Sequence, residues 1–136
     1  MSARARRLGV VGGAVLPPVL VWLVTDPLLG HPLRITDGEQ VLDIGGGAVA
    51  FLSLLASLAG WGLLAALERF GVRRPRTVWT RSAGAVLAVS FLPFTGGGID
   101  AGTAAALALM HLAVAAVLIP GLSSTSPAAG PRTARA

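Results

Sequence analysis

The chain has 136 residues, 54% of them hydrophobic and 12% charged, with no cysteine and a mean hydropathy of +0.75. Soluble domains carry about 25% charged residues, so half that charge excludes an ordinary soluble domain, and the lack of cysteine excludes a disulfide framework or a thiolate metal site. The basic residues are all arginine, 11 against 6 acids for a net charge of +5; they stand between long apolar runs, which points to anionic lipid and away from nucleic acid.

The first apolar run, Leu8 to Val24, follows a basic segment, residues 1–7, and ends at Thr25-Asp26-Pro27. It exceeds the roughly 7–15 residues of a signal-peptide core, and no small-x-small cleavage site follows it, so a first transmembrane helix is expected over 8–25. In its middle Pro17 and Pro18 delete two helical donors and free the carbonyls of Gly13 and Ala14, which predicts a kink, either a static bend or a hinge. Gly9 and Gly13 form a GxxxG helix-contact motif.

The second run, Val41 to Leu67, carries a single charge, Asp43. As one helix over 41–67 it would reach about 40 Å against a hydrocarbon core of about 30 Å, so it tilts or projects into the headgroups. The third, expected as a helix over 78–94, runs from Val78 to Phe94 and ends at Pro93 and Gly96-Gly97-Gly98. The fourth, Ala101 to Leu122, holds His111 near its middle, and Pro120-Gly121 predicts a helix end at 121. The tail, 123–136, is Ser, Pro, Ala and Gly with two arginines, too poor in apolar residues to pack, and is expected to be a disordered cytoplasmic segment.

None of these runs alternates polar and apolar residues as barrel strands do. Four helices with three short links predict an all-α fold, a membrane-spanning antiparallel four-helix bundle over 8–122. With the amino terminus cytoplasmic, the inner segments hold Arg4, Arg6, Arg7, Arg69, Arg73, Arg74, Arg76, Arg81, Arg132 and Arg135, and the outer ones only Arg34. That asymmetry predicts both termini cytoplasmic in a multi-pass protein of the cell membrane. The acids run the other way: Asp26, Asp37, Glu39, Asp43 and Asp100 fall outside and Glu68 inside. Trp79 and Phe70 beside the inner loop, and Trp22 near the outer end of the first helix, suit interfacial belts, whereas Trp61 lies deeper as a packing residue.

His111 is the most suggestive side chain, because a titratable group at mid-span is expensive and faces protein or water. It lies on a stripe of small residues, Ala101, Ala104, Ala108 and Ala115, that lets helices approach closely. The second helix offers a matching stripe, Asp43, Gly46, Ala50, Ser53, Ser57 and Gly60. If the two stripes pack, Asp43 and Asp100 meet at the outer end and Ser53 or Ser57 comes within reach of His111. One reading is a proton or cation path entering at the acids and relayed by the histidine. The other is structural: a neutral His111 bonded to a serine hydroxyl or a backbone carbonyl, with Asp100 capping the fourth helix.

The chain has no HExxH, no GxSxG and no cysteine nucleophile, and its two triple glycines lack the context of a phosphate loop. The other histidine, His31, stands in the outer loop. No enzyme, metal or cofactor is therefore expected. The expected partners are the lipid bilayer and, across a lipid-facing helix pair, a second copy or another membrane protein. Nucleic acid is not among them, since the inner arginine loop lacks a stacking platform beyond Trp79.

Three stretches, Gly60–Phe70 (GWGLLAALERF), Arg76–Trp79 (RTVW) and Leu109–Leu122 (LMHLAVAAVLIPGL), resemble an uncharacterised family, a domain of unknown function, of small four-helix membrane proteins common in high-GC actinobacteria. The likeness spans nearly all of the chain except its two tails. It implies the four-helix architecture and supplies no catalytic residues.

Overall fold

The computed structural model describes residues 2–95 and 97–126. Helix α1, Ala3–Leu23, begins at Ser2, whose hydroxyl accepts the Ala5 amide at 3.2 Å, and it continues into a π-helical turn, Val24–Leu28. Helices α2, Gly46–Arg69, and α3, Pro75–Ser90, follow; Pro75 opens α3 at a position where a missing amide costs nothing. A 3₁₀ turn, Leu92–Thr95, leads to α4, Ala101–Thr125, whose first amides, of Gly102 and Thr103, are accepted by the Asp100 carboxylate at 2.9 and 3.1 Å.

The helices alternate in direction. At one end, called here the terminal end, Arg7 near the start of α1 meets Glu68 near the end of α2 and Thr125 at the end of α4. At the opposite end the Trp22 ring N–H donates to the Ile44 carbonyl, 2.9 Å away, just ahead of α2. Helix α1 packs along both α2 and α4, and α3 lies more lightly against the same two. The fold is all-α, as the apolar runs predict, with one small exception at the second end.

That exception is a β-hairpin. Strands β1, Arg34–Asp37, and β2, Gln40–Asp43, pair antiparallel with Asp37 opposite Gln40. The two-residue turn places Gly38 at φ +61, the geometry in which glycine at the first central position matches the strand twist. Thr36 extends the pairing by donating to the Gly98 carbonyl at 2.8 Å, and Leu33, 1% exposed, anchors the hairpin in a cluster with Val49, Ala106, Leu107 and Met110. A second cluster, Ala14, Leu64, Trp79, Leu118 and Leu122, fills the terminal half.

Several expected boundaries are corrected. The second helix does not begin at Val41: residues 40–43, Asp43 among them, are strand, and the helix starts only at Gly46, where the hairpin's ladder has ended. The basic segment 1–7 is not separate from the bundle, because α1 starts at Ala3 and Arg7 is buried. The third helix is shifted, to Pro75–Ser90, with the last turn before Gly97 wound as 3₁₀. Helix α4 does not stop at 121; it carries Pro120 internally and runs to Thr125, because fully buried Leu122 and the Arg7–Thr125 bond hold its last turn. Of the tail expected to be disordered, residues 123–125 are thus helical, and 127–136 lie outside the described residues.

Three helices, Ala3–Leu28, Gly46–Arg69 and Ala101–Thr125, are long and apolar enough to cross a membrane. At 16 residues α3 reaches about 24 Å, short of a hydrocarbon core of about 30 Å. The exterior carries large exposed apolar side chains along the helices, among them Leu16, Leu20, Phe51, Leu52, Val86, Val89 and Leu109. A soluble monomer rarely exposes contiguous apolar surface on this scale; lipid is the solvent that suits it.

Candidate functional site: a cleft at His111

Near the terminal end the Trp79 ring N–H donates to the Gly60 carbonyl at 2.8 Å and ties α3 to α2. From that bond towards the hairpin a cleft of about 760 Å³ opens between α2, α3 and α4, with the hairpin residues Ile35, Leu42 and Asp43 at its rim. This size falls within the roughly 300–1,000 Å³ of small-molecule sites. Its walls are apolar apart from Asp43, Ser53, Ser82, Ser90 and His111.

Of the three lining hydroxyls, Ser53, Ser82 and Ser90, only that of Ser90 is engaged by its own helix among the described residues. Ser90 donates to the Leu87 carbonyl at 2.6 Å, and Ser57, beside the cleft, donates to the Ser53 carbonyl at 2.7 Å. Such back-bonding is how serine is accommodated within an apolar helix. Among the described residues neither Ser53 nor Ser57, the serines expected within reach of it, bonds to His111. The His111 Nδ1 lies 2.7 Å from the Leu107 carbonyl, one helical turn back. A carbonyl only accepts, so Nδ1 carries the proton and donates, and in the neutral ring Nε2 is left as a lone-pair acceptor. Phe94 meets the imidazole edge-on with centroids 5.4 Å apart, and Phe91 stands 6.2 Å away.

The acids do not join this histidine. Asp43, on β2, accepts from Arg34 Nε at 2.6 Å across the hairpin, and both side chains are exposed. Asp100 caps α4: its Oδ2 accepts the Thr103 hydroxyl at 2.5 Å and its Oδ1 stands 3.1 Å from His31 Nε2. These bonds to the ionised form hold the Asp100 carboxyl below the usual aspartate range, with the Thr103 hydroxyl the largest cause. No hydrogen bond or ion pair links Asp43 to Asp100 among the described residues. The two small-residue stripes do not interlock either, since α2 packs chiefly on α1 and only lightly on α4.

Pro17 and Pro18 sit inside an unbroken α1, and buried Pro18 forms part of the cleft wall. Gly9 and Gly13 have open space where a Cβ would stand, so the GxxxG is not spent on a close contact within the bundle. The close approaches fall elsewhere: a Cβ on Gly46 would press into the Trp22 ring, and one on Gly121 into Val10, each at 2.7 Å. Trp79 is not an interfacial ring but a core one, 1% exposed, whereas Phe70, 81% exposed, keeps the position a belt residue needs. Among the described residues no group of three His, Asp or Glu side chains converges on a point a metal ion could occupy.

A polar clasp at the terminal end was not visible in the residue pattern. Arg7 Nη2 donates to both Glu68 oxygens at 2.7 and 2.9 Å, and its Nε donates to Thr125 Oγ1 at 2.9 Å. The Ser126 hydroxyl adds a bond to Glu68 at 2.6 Å, and Arg76 donates to the Ser126 carbonyl. The available signal was Glu68 itself, the lone acid on an arginine-rich side.

Neither curated proteins nor solved structures include a match to this chain. The model of a family of unknown function, DUF6069, matches residues 1–128, so the chain belongs to that family.

Proposed function

We propose that this is a multi-pass protein of the cell membrane with four spans and both termini cytoplasmic, serving as an accessory component that offers lipid a cleft between its helices. The observation that carries this reading is the pairing of an apolar exterior on three membrane-length helices with arginines gathered at the terminal end. The short α3 fits as a fourth span if the bilayer thins beside it or Arg81 snorkels to the interface. The chain acts without chemistry of its own, and a second copy remains the natural partner for the outward-facing Gly9 and Gly13.

A small proton-coupled carrier is the competing reading. It requires a polar route to His111, and the acids proposed for that route are bonded instead to Arg34 and to Thr103. The absence of native cysteine suits the chain to topology labelling, and a flux assay separates the two readings. Single cysteines at Ser2 and at Gln40 are introduced, reconstituted by expression in intact cells, and treated with a membrane-impermeant maleimide. Gln40→Cys is expected to label from outside and Ser2→Cys only after permeabilisation. Labelling of Ser2→Cys from outside would overturn the orientation, and proton flux in liposomes that disappears in His111→Ala would overturn the accessory reading in favour of the carrier.

A further inference from the structure

We propose that the cleft binds a membrane alcohol, a single apolar chain whose hydroxyl donates a hydrogen bond to His111 Nε2. The inference rests on the membrane reading above and adds the chemistry of the occupant. Three observations define that chemistry. The walls are apolar, so most of the ligand is hydrocarbon. The Nδ1 proton is committed to the Leu107 carbonyl, so the one polar atom His111 presents in its neutral form is an acceptor, and Nε2 has no bond among the described residues. The serine hydroxyls do not supply the missing proton: Ser57 and Ser90 donate to their own helices, and those of Ser53 and Ser82, both in the cleft wall, make no bond to His111 among the described residues.

Nε2 is open to the cleft and not sealed by protein, so hydrocarbon filling the cleft would desolvate it, and a ligand donor removes that cost. Ethers, esters and alkanes have no proton to give. A carboxylate or ammonium would bring a charge into the cleft, whose one acidic side chain, Asp43, stands at the rim and is already paired with Arg34. A hydroxyl meets the requirement without charge. The flanking Phe91 and Phe94 rings favour a slim terminal group over a bulky headgroup. From His111 the cleft continues along α4 to Leu118, about 10 Å at about 1.5 Å per residue, and closes at the Trp79–Gly60 bond. The remainder of a long chain leaves sideways between α2 and α3.

The test uses the full chain in liposomes with hexadecanol bearing a diazirine in its chain. Photolabelling is expected on cleft residues such as Val86, Met110 and Val114. Unlabelled hexadecanol should compete roughly three- to tenfold better than hexadecyl methyl ether, the net worth of one hydrogen bond. His111→Phe should abolish that preference while leaving labelling in place. Should His111→Phe fail to fold, Ala115→Trp, which fills the cleft and keeps the imidazole, should lose labelling altogether. Equal competition by alcohol and ether in the wild type, equal competition by hexadecanoate, or labelling outside the cleft would each overturn the proposal. Failure of selectivity in a protein that resists alkaline carbonate extraction overturns the alcohol alone; release of the protein by carbonate overturns the membrane reading as well.

Discussion

The two ends of the bundle are held together by opposite means. At the terminal end a buried guanidinium, Arg7 at 8% exposure, binds a carboxylate and a hydroxyl from two other helices, and Trp79 ties α3 to α2. At the hairpin end the ion pairs Arg34–Asp43 and His31–Asp100 are solvent-exposed, and the fixing is done by backbone pairing and by apolar anchors such as Leu33. Exposed pairs contribute at most about 1 kcal/mol, whereas a buried charge that loses its partner costs far more. The difference explains the shape of the cleft. Helices α2 and α3 are pinned by the Trp79–Gly60 bond towards the terminal end, and the cleft opens between them towards the hairpin.

The largest effect is expected at Glu68. Replacing it by alanine leaves Arg7 buried with only Thr125 to accept from it, and the expected loss is about 3–5 kcal/mol of stability, read as a lowered unfolding midpoint in detergent. A change within the range of an exposed pair would mean that the terminal clasp does not hold the bundle. A smaller effect is expected at the hairpin end, at Asp100. Its carboxyl titrates below the usual aspartate range because the folded state binds the ionised form. The stabilisation is therefore complete above that range and is lost as pH falls through the lower, folded value. Hydrogen exchange at the Thr103 amide should accelerate over that acid interval in the wild type and show no such transition in Asp100→Asn, which keeps an acceptor that does not titrate. An identical acid profile in both would remove Asp100 as the cap that matters.

The four helices were legible because each is a long run of apolar residues, and composition alone requires such runs to be buried in lipid or protein. The hairpin was not. Its strands are four residues each, and Val41-Leu42 merges with the apolar run of α2, so only Asp37-Gly38 and the glycines at 45–47 marked the break. At the other extreme of the chain, Pro120-Gly121 gave a stop signal that tertiary contacts at Leu122 and Thr125 override. His111 was recognised as facing the bundle, and its Leu107 carbonyl partner belongs to the structural reading; its proximity to Phe91 and Phe94 depends on how α3 lies against α4, which no local pattern encodes. The same holds for Trp79, whose ring looked interfacial by position and is core by packing.

Distances between paired spin labels in bilayers measure the separation of α2 from α3 directly. One pair, at Leu52 and Val86, spans the cleft, and the other, at Leu63 and Val78, lies beside the Trp79–Gly60 bond. A longer distance is expected for the cleft pair than for the pair beside the bond, with the difference growing when hexadecanol is added. Equal distances at the two levels, unchanged by the alcohol, would mean that α2 and α3 pack along their whole length and that the cleft does not exist in the membrane.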